Sequence, residues 1–100
     1  MNEPETMPAL QEGILDADTL RTLLFDIENA GQLLGVSLKW KCTELASAAE
    51  VSLTRVADLL LSKQLLGVQI RYLYAGRQWW DTLLPGGEGT RLVRIEQPFD

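Results

Sequence analysis

The sequence predicts an α+β domain in the order helix, strand, helix, helix, hairpin, with one extra C-terminal strand. Three observations predict it. Leu20, Leu23, Leu24 and Ile27 recur at the spacing of one helical face. Val36, Leu38 and Trp40 alternate with Ser37, Lys39 and Lys41, the period-two pattern of a half-buried strand. From Val68 onward the alternation returns and continues towards the C-terminus, after a second helical stretch has ended near Gly67.

Each element has its own signals. Met1–Gly13 holds two prolines and several acids without periodicity, so residues 1–13 read as a flexible acidic tail. Asp16 or Asp18 can cap a helix over Asp18–Ala30, whose polar side carries Asp26 and Glu28. Gly31 reads as its left-handed stop. A short strand over Gly35–Lys41 follows. Thr43 can cap a brief helix with Leu45, Ala46, Ala48 and Ala49, ending near Glu50. Ser52 can cap the next, Leu53–Gln64, where Leu53, Val56, Ala57, Leu59, Leu60 and Leu61 span a wide apolar arc opposite Thr54, Arg55, Asp58 and Ser62.

The hairpin reads as Val68–Tyr74 and Gln78–Leu84 around a glycine-bearing Ala75-Gly76-Arg77 turn. Pro85–Gly89 is a loop by composition, and Thr90–Glu96 is the extra strand. Residues 14–97 therefore form a single domain, with 98–100 as a C-terminal tail.

Composition narrows the function. The chain has 100 residues, 46% hydrophobic and 23% charged, which suits one modest core. It has no histidine and one cysteine, Cys42. Without histidine there is no Ser-His or Cys-His nucleophile pair and no imidazole metal site. The carboxylate pairs Asp16/Asp18 and Asp26/Glu28 have capping or solvent roles. No catalytic residue, metal ligand or cofactor is expected. No apolar run of about 18 residues exists, so no membrane span is expected. The acidic start lacks the basic residues of a secretory leader, and one cysteine cannot close an internal disulfide. Both point to a cytoplasmic location.

Leu45, Ala46, Ala49, Val51, Ser52, Val56 and Leu59 resemble the apolar, small and capping positions of the helix-turn-helix motif, and with the following hairpin the chain is similar to winged helix-turn-helix domains. The resemblance covers about Asp18–Leu84. It departs from the family at Glu50, where the motif usually has glycine. The resemblance implies a DNA-reading helix whose recognition face would be Leu53, Thr54, Arg55, Ala57, Asp58 and Ser62. None of the outward positions Leu53, Thr54, Ala57 and Asp58 is Arg, Lys, Asn or Gln, the types that make bidentate base contacts.

Charge also speaks against DNA. Residues 1–53 carry nine acids and three bases, 54–94 six bases and three acids, and the last six residues two acids, for a net charge of −5. The expected function is a non-catalytic interaction module that binds a protein partner or a second copy of itself. The alternative is a winged-helix DNA-binding regulator. The expected interaction surface is the hairpin, with Arg71, Tyr72, Tyr74, Arg77, Trp79 and Trp80. Adjacent strand residues face opposite sides, so one of Trp79 and Trp80 should belong to the core. The other should lie in a partly exposed patch edged by Arg71 and Arg77.

Overall fold

The computed structural model describes residues 10–41 and 52–98. The elements run β1 (Leu10–Leu15), α1 (Ala17–Ala30), β2 (Gln32–Trp40), α2 (Leu53–Leu61), β3 (Leu65–Tyr74), β4 (Arg77–Gly86) and β5 (Gly89–Gln97). All five strands form one antiparallel sheet in the order β1-β5-β4-β3-β2. The C-terminal half is a meander, and the chain's first strand closes against its last.

Both helices lie on one face of this sheet. α1 begins where the Asp16 side chain accepts the Thr19 backbone N–H at 2.8 Å, and the backbone and hydroxyl of Thr19 hold the Asp16 carboxyl below the usual range. Its buried stripe is Leu20, Leu24 and Ile27. α2 is capped by Ser52, which accepts from Arg55 N–H at 3.2 Å, and buries Leu53, Val56, Ala57, Leu59 and Leu60. These side chains meet Leu65, Val68, Ile70, Tyr72 and Leu83 of the sheet. Each fully buried leucine contributes about 2 kcal/mol of transfer free energy. Arg21 and Asp58 join the helices at 2.9 Å, but both are nearly half exposed, so this pair adds at most about 1 kcal/mol.

This architecture overturns the winged-helix resemblance and its helix-strand-helix-helix-hairpin order. A five-stranded sheet, rather than a cluster of helices, forms the floor of the core. Leu53 and Ala57, expected on an outward recognition face, are each only 1% exposed because α2 lies on the sheet beside α1. Thr54, Arg55 and Ser62 are exposed, and Asp58 is engaged by Arg21. A helix held this way does not present its N-terminal half to a DNA groove. The expected Thr43–Glu50 helix, the Glu50 turn and Cys42 lie outside the described residues.

Several boundaries also move. β1 occupies 10–15, so part of the stretch assigned to the acidic tail is a paired strand. Gly31 is extended (φ −96°) rather than left-handed. α2 stops at Leu61 because Lys63 takes φ 63°. Lys63 N–H then bonds Leu60 C=O and Gln64 N–H bonds Leu59 C=O, which satisfies the carbonyls of the last turn. The hairpin turn has two residues, Ala75 and Gly76, both at positive φ. Such a turn matches the twist of the flanking strands. β4 continues through Pro85 to Gly86, which pairs with Gly89, so the expected loop shrinks to Gly87-Glu88.

Candidate interaction surface

The strand register sorts the hairpin onto two faces. Val68↔Leu83, Ile70↔Asp81, Tyr72↔Trp79 and Tyr74↔Arg77 are directly opposed, so they share the helix-covered face. Gln69↔Thr82, Arg71↔Trp80 and Leu73↔Gln78 share the other. The six expected interaction residues are therefore split. Tyr72, Tyr74, Arg77 and Trp79 point to the helix side; Arg71 and Trp80 point away from it. Trp79 packs against the core and Trp80 does not. Arg77 leaves the Trp80 patch altogether and pairs with Glu96 at 3.1 Å on the helix side.

No described residue is layered over the second face. β5 adds Arg91, Val93 and Ile95 to it, β1 adds Glu12 and Ile14, and β2 adds Gly35, Ser37 and Lys39. Trp80, Val93 and Ile95 are half-buried by their neighbours alone; Leu84 is 38% and Ile14 55% exposed. The apolar side chains gather around Thr82 at the centre, with Gln69 beside it, and the edges are charged. Arg71 lies flat along the β2 side, where its Nη1 donates to Ser37 Oγ and Gln69 Oε1, both at 2.9 Å. Gly35 makes room for this, since a Cβ there would stand 2.6 Å from an Arg71 nitrogen. At the opposite edge Arg91 meets Glu12 at 3.4 Å, with both side chains about half exposed. The Trp80 indole Nε1 is buried and has no acceptor among the described residues.

The helix-covered face holds a polar centre that sequence reading missed. Asp81 is 0% exposed. Its carboxylate accepts Arg94 Nε at 2.9 Å, Arg94 Nη2 at 2.8 Å and the Tyr72 hydroxyl at 2.9 Å. Those hydrogen bonds raise the Arg94 pKa. Burial first, and then the Asp81 charge, push the Tyr72 hydroxyl well above its ordinary value. Arg94 also lies 6.0 Å from the Trp79 ring centroid, within cation–π range. Tyr72, Tyr74, Arg94, Asp26 and Gly31 border a cleft of about 420 Å³ alongside the C-terminal half of α1. The signal available in the sequence was the one charged residue in a mostly aromatic and apolar stretch, Trp79–Leu84, with an arginine inside the next strand.

The carboxylate pairs Asp16/Asp18 and Asp26/Glu28 do not assemble into a site. Asp16 caps α1, and Asp18, Asp26 and Glu28 are exposed along it. Among the described residues no three His, Cys, Asp or Glu side chains gather where a metal could bind, and no helix is long and apolar enough to cross a membrane. Comparison with family models, curated proteins and solved structures gave no match for this chain.

Proposed function

We propose that the chain is a non-catalytic protein-interaction module whose working surface is the open face of the sheet. One observation carries this reading. Trp80, Leu84, Val93 and Ile95 form an apolar cluster around Thr82 on a sheet face over which no described element is layered, edged by Arg71, Arg91 and Lys39. An aromatic anchor within an apolar core and a charged rim is the composition of a recognition surface. A solvent-facing sheet face ordinarily carries polar side chains instead. The absence of histidine from the whole sequence supports the non-catalytic part, and a single cysteine fits a reducing cytoplasm.

The test is substitution at the centre of the face. Trp80→Ser and Val93→Ser should keep the far-ultraviolet circular dichroism and the cooperative melting of the wild-type chain. They should also shift its association state towards smaller species in sedimentation velocity. Loss of the fold, or unchanged association in a chain that does self-associate, contradicts the reading.

A further inference from the structure

We propose that the occupant of the open face is a second copy of this chain, stacked face to face about a twofold axis that runs along β4. The inference rests on the reading of that face as a recognition surface and adds the identity of what it recognises.

The strand order makes the arrangement specific. With β4 in the middle of β1-β5-β4-β3-β2, rotation about β4 lays β1 over β2 of the second copy and β5 over its β3. Residues Glu12, Val93, Thr82, Gln69 and Ser37 form one continuous row across the sheet. Arg71 starts one row away, but its guanidinium reaches into this row through Ser37 and Gln69. The rotation therefore sets Glu12 of each copy against the Arg71 guanidinium of the other. In the adjacent row it sets Trp80 against Trp80 and Ile95 against the Arg71 stem. Arg91 falls over Gly67, which has no side chain to oppose it.

Charge also selects this axis over its alternative. A twofold axis perpendicular to the strands would set Arg71 against Arg71, a like-charge contact that disfavours the arrangement. Two twisted sheets stack with their strands roughly aligned, as the β4 axis requires. Strand spacing and rise give a face of roughly 20 Å by 20 Å. Side-chain relief brings it towards the low end of the ~800 Å² per partner found in specific interfaces. A dissociation constant of the order of 1–10 µM is expected, because an interface of that size has little surplus after the cost of association.

The experiment is sedimentation equilibrium on the full 100-residue chain across about 1–200 µM, comparing the wild type with Glu12→Arg, Arg71→Glu and an equimolar mixture of the two variants. The wild type should dimerise. Each variant alone places like charges at both ends of the face and should weaken the dimer at least about tenfold. In the mixture, Arg at position 12 meets Glu at position 71, Glu12 meets Arg71, and association should return to the wild-type range. Circular dichroism and melting of each variant keep folding separate from association, and Ile95→Arg is a further disrupting variant that leaves both charges in place.

A wild-type chain that stays monomeric, reversals without effect, or a mixture that does not recover would overturn the second copy as occupant. A chain that dimerises only after residues 1–9 are removed would overturn it too, by making that segment the occupant. Where the chain is monomeric but Trp80→Ser folds normally, the recognition surface survives and its partner is another protein. Where Trp80→Ser unfolds the chain, the surface reading falls as well.

Discussion

The two faces of the sheet invert the usual expectation about what is buried. The covered face holds a carboxylate with no solvent exposure, Asp81, beneath two helices. The other holds the adjacent residue, Trp80, with no described element above it. One peptide bond separates them, and the pleat sends them to opposite sides. The difference teaches that a side chain's role here follows from the strand's register rather than from its hydrophobicity. Asp81 is tolerated because Tyr72 and Arg94 supply three donors to it. Trp80 has no such compensation within its own face, since its indole N–H finds no acceptor among the described residues.

Breaking the covered face should have the largest effect. Asp81→Ala leaves Arg94 without its counter-charge and the Tyr72 hydroxyl without its acceptor. The expected loss is about 3–5 kcal/mol by urea denaturation, since the partners left behind keep their desolvation cost. Replacing Asp81 and Arg94 together by leucine should recover part of that loss, because no buried charge then remains. Trp79→Ala should cost about 2–3 kcal/mol, somewhat under the range for a fully buried aromatic, because the ring is half-buried against the core.

Tyr72→Phe sharpens the comparison through pH. It removes one hydrogen bond to a buried carboxylate and should cost about 1–3 kcal/mol at neutral pH. Burial and the Asp81 charge raise the Tyr72 pKa in the folded chain. Below about pH 10, the ordinary tyrosine value, the group is protonated in both folded and unfolded chains and its contribution is intact. Above that pH the unfolded chain ionises first, so wild-type stability should fall as pH rises. Tyr72→Phe should show a flatter alkaline profile in a denaturation series over pH 8–11. An identical alkaline slope would mean that Tyr72 is not the group responsible.

A smaller effect is expected at the end of α2. Lys63 occupies a left-handed position that favours glycine, and its Nζ donates to the Gly86 carbonyl at 2.7 Å. Lys63→Gly should relieve the backbone and lose an exposed hydrogen bond, for a net gain of about 0.5–1 kcal/mol. A net loss in thermal denaturation would show that the tie to the β4–β5 turn outweighs the backbone.

Much of the local structure was legible in the sequence, while the fold class in its finer form was not. The Leu20–Ile27 stripe, the Val36–Trp40 alternation and the Ser52 cap each leave a periodic or chemical mark, and α1, β2 and α2 lie where those marks place them, within a few residues. β1 leaves almost none. Gln11, Glu12 and Gly13 interrupt its apolar residues, and it is a strand because β5 pairs with it from 75 or more residues away. Missing that edge turned a closing sheet into a wing and a sheet-packed helix into a recognition helix. The split of Arg71 and Trp80 from Tyr72 and Trp79 follows from period two alone. The Asp81 centre depends on the β4–β5 register, which joins Asp81 to Arg94, and no local pattern fixes that register.

The most direct measurement is the unfolding free energy of Trp79→Ser and Trp80→Ser, determined side by side by urea denaturation of dilute, unassociated protein. With Trp79 against the core and Trp80 on the open face, Trp79→Ser should lose about 2–3 kcal/mol, in keeping with large-to-small changes against a core. For Trp80→Ser the expected loss is smaller, about 1 kcal/mol, because that half-buried ring loses cross-strand neighbours only. Equal and large losses in both would place Trp80 in the fold's own core and contradict the account.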